Sequence, residues 1–115
     1  METTDIIKFQ NRNNSRSIRL LAFFEVKKGR GKELEKILLK VIKPTRKESG
    51  NIAYVLHRSN DNPDELLFDE IWTDKESLEK HFKKPYKEDL DSNIEQLLAK
   101  EIELKEYSEI MISET

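Results

Sequence analysis

The hydrophobic positions of this chain change period several times, and each change marks an element. From Ile18 to Val26 both alternating sets are apolar: Ile18, Leu20, Ala22, Phe24 and Val26 on one side, Leu21 and Phe23 on the other. Such a run reads as a strand buried on both faces. Lys28-Gly29-Arg30-Gly31 turns the chain. The period then lengthens, and Leu34, Ile37, Leu38, Val41 and Ile42 fall on one helical stripe. Pro44 lacks a backbone donor and should kink or end that helix, with a last turn over Thr45 to Glu48 before Gly50 stops it. Period two returns from Ile52 to Ser59, Asn60-Asp61-Asn62-Pro63-Asp64 is a strong turn, and a third strand runs from Leu66 to Trp72. Leu66, Phe68, Glu70 and Trp72 share one face of it. Thr73-Asp74-Lys75-Glu76 looks like a capping box opening a short helix whose apolar side carries Leu78, His81 and Phe82. Pro85 breaks that helix, another is expected from about Tyr86 to Ala99, and a last strand from Ile102 to about Ile112 places Ile102 and Leu104 inward. Residues 1–16 are polar and read as a flexible arm, leaving residues 17–115 as a single domain.

The order β-α-β-β-α-α-β matches the split βαβ, ferredoxin-like plan, an α+β fold with an antiparallel sheet. Its strands are apolar on both faces, but the chain's own helices cover one face only. A second copy of the sheet is the expected cover for the other, which predicts a homodimer closing into an α+β barrel. The alternative is that the N-terminal arm folds over that face.

Composition narrows the function classes. The 115 residues suffice for one core. Lysine and arginine number 21 against 23 acidic residues, so the net charge of −2 gives no basic face for nucleic acid. The absence of cysteine excludes disulfides, thiolate metal sites and cysteine nucleophiles, and fits a reducing cytoplasm. Leu20 to Phe24 is too short an apolar run for a membrane span, and Met1-Glu2-Thr3-Thr4-Asp5 lacks the features of a signal peptide. With two histidines and no cysteine, a dedicated metal site is not expected. Gly29-Arg30-Gly31 is too short to be a dinucleotide loop, so no flavin or nicotinamide is expected either.

Several short motifs carry a resemblance. They are Lys28-Gly29, Pro44-Thr45-Arg46-x-Glu48-x-Gly50, Tyr54-x-Leu56-His57-Arg58-Ser59, Asp61-Asn62-Pro63, Glu70-x-Trp72 and Leu78-x-x-His81. Over about Ile18 to Tyr107 the chain resembles the antibiotic biosynthesis monooxygenase domain family, dimeric α+β barrels that include small quinol monooxygenases. The resemblance implies cofactor-independent oxygenation of an electron-rich aromatic, such as a hydroquinone, by molecular oxygen. A base would remove a phenolic proton and a dry, aromatic-walled pocket would hold the radical pair.

Three side chains are candidates for the proton-handling role. His81 lies on the apolar stripe of a short helix, where a histidine often stands in the family; otherwise it would cap nearby carbonyls. His57 lies on a strand beside Arg58, where many histidines only satisfy a neighbour. Glu70 sits between Phe68 and Trp72 in its alternating set, either half-buried and paired, with Arg58 or Arg46 as partner, or at a rim; burial without pairing would raise its pKa. Trp72, Tyr54, Phe24, Phe82 and Arg58 are the expected substrate pocket, although core packing would account for the aromatic ones equally well.

Rival functions are haem degradation, isomerisation of a small metabolite or signalling molecule by proton shuttling, and non-catalytic binding of a small molecule or protein. The haem-degrading relatives carry an Asn, a Trp and an axial His at places that hold Ala22, His81 and Asp91 here, and none of the three matches.

Overall fold

The computed structural model describes residues 16–112. The arm expected over residues 1–16 lies outside them except for Arg16. Nine elements follow in order: β1 (Ile18–Glu25), α1 (Gly31–Leu39), α2 (Ile42–Arg46), β2 (Asn51–Arg58), β3 (Glu65–Trp72), α3 (Lys75–Phe82), α4 (Pro85–Ile94), a 3₁₀ turn (Glu95–Leu97) and β4 (Glu103–Tyr107). The strands form one antiparallel sheet in the order β2-β3-β1-β4. This is the ferredoxin-like α+β topology the hydrophobic pattern predicts.

Register separates the two faces. Leu20 lies opposite Glu70, Ala22 opposite Phe68 and Phe24 opposite Leu66. All six side chains are buried and turn toward the helices, where Leu34, Leu38, Leu78, Leu90 and Ile94 complete the core. The other set pairs Leu21 with Asp69 and Phe23 with Leu67, and these outer positions are only half-buried. Val55, also on that face, is 40% exposed.

Four expectations shift. The first helix breaks four residues before Pro44, because the proline has no N–H for the Lys40 carbonyl and its ring crowds it. The turn there tightens instead: Lys40 N–H donates to Ile37 O and Val41 N–H to Leu38 O, both at 3.2 Å. The helix expected to reach Ala99 ends at Ile94. Sheet-edge bonds capture the following residues, with Lys27 N–H donating to Leu97 O at 2.9 Å and Ala99 N–H to Glu25 O at 2.8 Å. Pro85 starts this helix, at a first-turn position where its missing donor costs nothing. Finally, β4 is five residues long and lies at an open sheet edge; Leu104 faces inward beside Ala22, as expected, but the open edge leaves it 52% exposed. The cap of α3 also moves by one residue: the Asp74 carboxylate accepts Ser77 N–H at 2.8 Å, which holds its pKa below the usual carboxylate value.

The β2–β3 turn locks onto the β1–α1 loop. The Asp64 carboxylate accepts the N–H groups of Gly29 and Gly31, each at 3.0 Å. Gly29 adopts φ +83°, which favours glycine, and a Cβ on Gly31 would stand 2.1 Å from the Pro63 carbonyl oxygen. Gly31→Ala should therefore destabilise the fold by about 1–3 kcal/mol, the usual range for overpacking. Urea denaturation of the two proteins measures this; an unchanged midpoint would show that the loop moves aside freely.

Candidate active site

The inner face of the sheet and the helices α3 and α4 do not meet everywhere. Between them lies a cavity of about 230 Å³ lined mainly by apolar side chains, among them Leu20, Phe24, Tyr54, Phe68, Phe82 and Leu90. Tyr54 and Phe68 stack with centroids 4.3 Å apart, and Phe24 meets Phe68 edge-on at 6.0 Å. Ile102 and Leu104 form the lip beside the exposed edge strand.

Two polar features stand out in this lining. Glu70, in the middle of β3, is 3% exposed and contributes to the wall. Burial pushes its pKa up to about 7, against the hydrogen bond that its Oε1 accepts from the Trp72 indole N–H at 2.9 Å. The nearby Lys87 ammonium also opposes the rise, and the Glu48 and Asp69 carboxylates reinforce it. Its partner is thus an indole and not the Arg58 or Arg46 expected from sequence. The second feature is Lys87 on α4, whose side chain is only 14% exposed and pairs with Asp91 at 2.6 Å.

Behind the wall lies a chain of hydrogen bonds. His81, 1% exposed, uses Nδ1 to contact Glu48 Oε2 at 2.8 Å. The Tyr86 hydroxyl donates to the same carboxylate oxygen, which leaves Thr45 Oγ1, 3.2 Å away, to donate to Tyr86. Both tyrosines near this chain, Tyr54 and Tyr86, have their pKa values raised chiefly by burial, so they act as neutral hydroxyls. The His81 pKa is lowered, first by burial and against the pull of Glu48. A neutral imidazole that donates from Nδ1 presents a lone pair at Nε2, and that atom is buried with no partner among the described residues.

Each candidate from sequence now has a place. Glu70, Tyr54, Phe24 and Phe82 come together around the cavity. His81 and Trp72 stand just outside the lining, with ring centroids 4.7 Å apart; His81 therefore backs the indole that holds Glu70. Trp72, expected as a pocket wall, is 0% exposed. His57 lies elsewhere, exposed on the outer face of the sheet opposite Leu67. Arg58, also expected in the pocket, is instead exposed near the β2–β3 turn, where it pairs with Glu35 on α1. His57 falls outside because its alternating set faces away from the helices, and Arg58 because it ends β2 beside α1, whereas the cavity lies against α3 and α4.

Sequence reasoning gave no role to Glu48, Tyr86 or Lys87. The spacing of Lys87 and Asp91 at i, i+4 on a helix was the one available signal for the last. Among the described residues, no group of three or more His, Asp or Glu side chains could hold a metal ion, and no helix is long and apolar enough to cross a membrane.

Comparison with known proteins agrees with this architecture. An uncharacterised protein of Synechocystis is 35% identical over 66 residues, 57% of this chain. The aligned stretch spans only 45% of that relative. A conserved protein from Methanosarcina mazei superposes with a TM-score of 0.79 at 28% identity, covering 89% of this chain and 98% of that one. A candidate antibiotic biosynthesis monooxygenase from Nitrosomonas europaea superposes with a TM-score of 0.80 over 84% of this chain and 93% of its own; at 12% identity this likeness shows the fold alone. The sequence profile of the antibiotic biosynthesis monooxygenase family matches residues 17–90, which takes in β1 through most of α4, and the chain belongs to that family.

Proposed function

We propose that this protein is a cofactor-independent monooxygenase that oxidises a small, electron-rich aromatic of the hydroquinone type with molecular oxygen, with Glu70 as the base. The observation that carries the reading is a carboxyl group, 3% exposed, in the wall of a largely apolar, aromatic cavity, where burial pushes its pKa up to about 7. A group poised near neutrality is the efficient choice for proton transfer at that pH. The cavity, about 230 Å³, is smaller than the roughly 300–1,000 Å³ typical for drug-sized ligands, which favours a single ring.

In this reading, ionised Glu70 takes the phenolic proton, and the phenolate passes one electron to oxygen. Semiquinone radical and superoxide combine at a ring carbon to form a carbon–oxygen bond. Glu70 then returns its proton to the peroxide, the O–O bond breaks as the C–H proton leaves, one oxygen stays as the quinone carbonyl, and the hydroxide released takes up that C–H proton and departs as water. The stacked Tyr54 and Phe68 rings would hold the flat substrate. Trp72, backed by His81, would keep the carboxylate aimed.

The active unit in this account is a homodimer, supported by the half-buried apolar outer face of the sheet, and the setting is the cytoplasm, which the absence of cysteine favours. Oxygen uptake with a panel of hydroquinones under isotopically labelled oxygen tests the chemistry. One labelled atom should appear in the quinone and one in water. Uptake that yields hydrogen peroxide with no label in the product, or no uptake, would contradict it.

A further inference from the structure

The cavity that holds a buried acid also holds a cation, and this pairing says which ionisation state of a ligand the site would favour. Lys87 reaches its wall from α4 and stands 5.8 Å from the centroid of the Phe82 ring, which also lines it. Its partner Asp91 has a side chain 49% exposed, whereas that of Lys87 is 14% exposed. Lys87 is therefore the more buried member of the pair. An ammonium carries three donors, and Asp91 uses one of them.

We propose that Lys87 is the oxyanion-binding group of the cavity, so that the site selects aromatic ligands with an ionisable ring hydroxyl and holds them as phenolates. The inference rests on the reading of Glu70 as a base and extends it to the form of the ligand. When Glu70 takes the phenolic proton, the carboxylate becomes neutral and its negative charge moves to the ligand oxygen. The charge inside the cavity is conserved, and the same ammonium serves both locations. Titratable groups from every surrounding element face this balance: Glu70 on β3, Asp91 on α4, the neutral His81 on α3, Asp69 on the outer side of β3, and Glu48 between α2 and β2. Of these, Asp91 is the carboxylate in direct contact with the ammonium. Without Lys87 the cavity would hold one buried acid and no cation in its wall, and moving the charge onto a ligand oxygen would leave it unpaired in an apolar space.

The test reads binding alone and needs no oxygen. para-Nitrophenol, whose ionised form absorbs in the visible, is titrated under nitrogen into wild type, Lys87→Met and Lys87→Arg. Methionine keeps the stem that packs on Phe82 and removes the charge. Wild type should bind the phenolate and lower the pKa of the ligand below its value in water. An opposite charge at close range shifts a pKa by about 1–3 units, so Lys87→Met should reduce the bound phenolate-to-phenol ratio about tenfold or more. Lys87→Arg should retain most of the preference. An unchanged ratio in Lys87→Met would overturn the proposal, as would a loss in Lys87→Arg as large as that in Lys87→Met. Failure of hydroquinones to drive oxygen uptake, with the nitrophenolate preference intact, would count against the monooxygenase reading and leave this assignment standing.

Discussion

Glu70→Gln is expected to lower turnover by about 10²–10⁴-fold, the usual contribution of a positioned general base, while making the protein more stable at alkaline pH. The amide keeps an acceptor for the Trp72 indole, so the cavity wall should survive. The stability effect follows from the proton balance. Glu70 has a folded pKa of about 7 against 4.5 when solvated. Below that lower value both states hold the proton. Between the two values the unfolded chain has lost it while the folded protein keeps it, so stability falls as pH rises; above about 7 the full cost is present. A shift of this size corresponds to about 3 kcal/mol. Wild type should thus lose about that much between mildly acidic and alkaline pH from this group, and Glu70→Gln should not. Urea unfolding at several pH values measures the difference. Equal pH slopes in the two proteins would show that Glu70 titrates as an ordinary carboxylate.

Phe23→Lys is expected to dissociate the protein into single subunits at micromolar concentration. Phe23 lies on the outer face of β1, opposite Leu67, half-buried, with the Lys105 ammonium 5.6 Å from the ring centroid. Leu21, Ala53, Val55 and Ile71 extend the same surface. Burying a large apolar side chain is worth about 1.5–3 kcal/mol, and a two-fold interface would bury two copies of it, so the substitution should weaken association by about 10²–10⁴-fold. Sedimentation of both proteins decides the matter. A wild-type protein that sediments as a monomer at micromolar concentration would remove the dimer from the account, and a variant that stays dimeric would move the interface elsewhere. The inner cavity should still be present in the variant, because none of its lining side chains comes from the outer face.

The sheet and its faces were readable because period-two patterns translate directly into register. Leu66, Phe68, Glu70 and Trp72 face inward together, as their alternation requires. The turn at Asn60 to Asp64 and the stop at Gly50 were readable for the same local reason, since turn chemistry is written in adjacent residues. The C-terminal third was less legible. Leu97 and Leu98 continue a helical stripe, and only tertiary bonds from the β1 end draw them away from it. Within the site, Glu70 was legible because a carboxylate interrupts an apolar set. The distinction between His81 behind the wall and Glu70 in the wall was not, since it depends on how α3 docks against β3. Nor was the link from His81 through Glu48 to Tyr86, which joins residues 33 and 38 positions apart. Resemblance to a family favoured a histidine base, whereas the function proposed above gives that role to the carboxyl group the indole holds.

The central claim is that a dry aromatic wall keeps the Glu70 carboxyl half-protonated near neutral pH. Infrared titration of the protonated-carboxyl stretch, wild type minus Glu70→Gln, tests it without substrate, oxygen or partner. The account predicts a band in the difference spectrum that vanishes with a midpoint near pH 7, the value set by burial of Glu70. A difference band that disappears near the ordinary carboxylate value of 4.5 would contradict it.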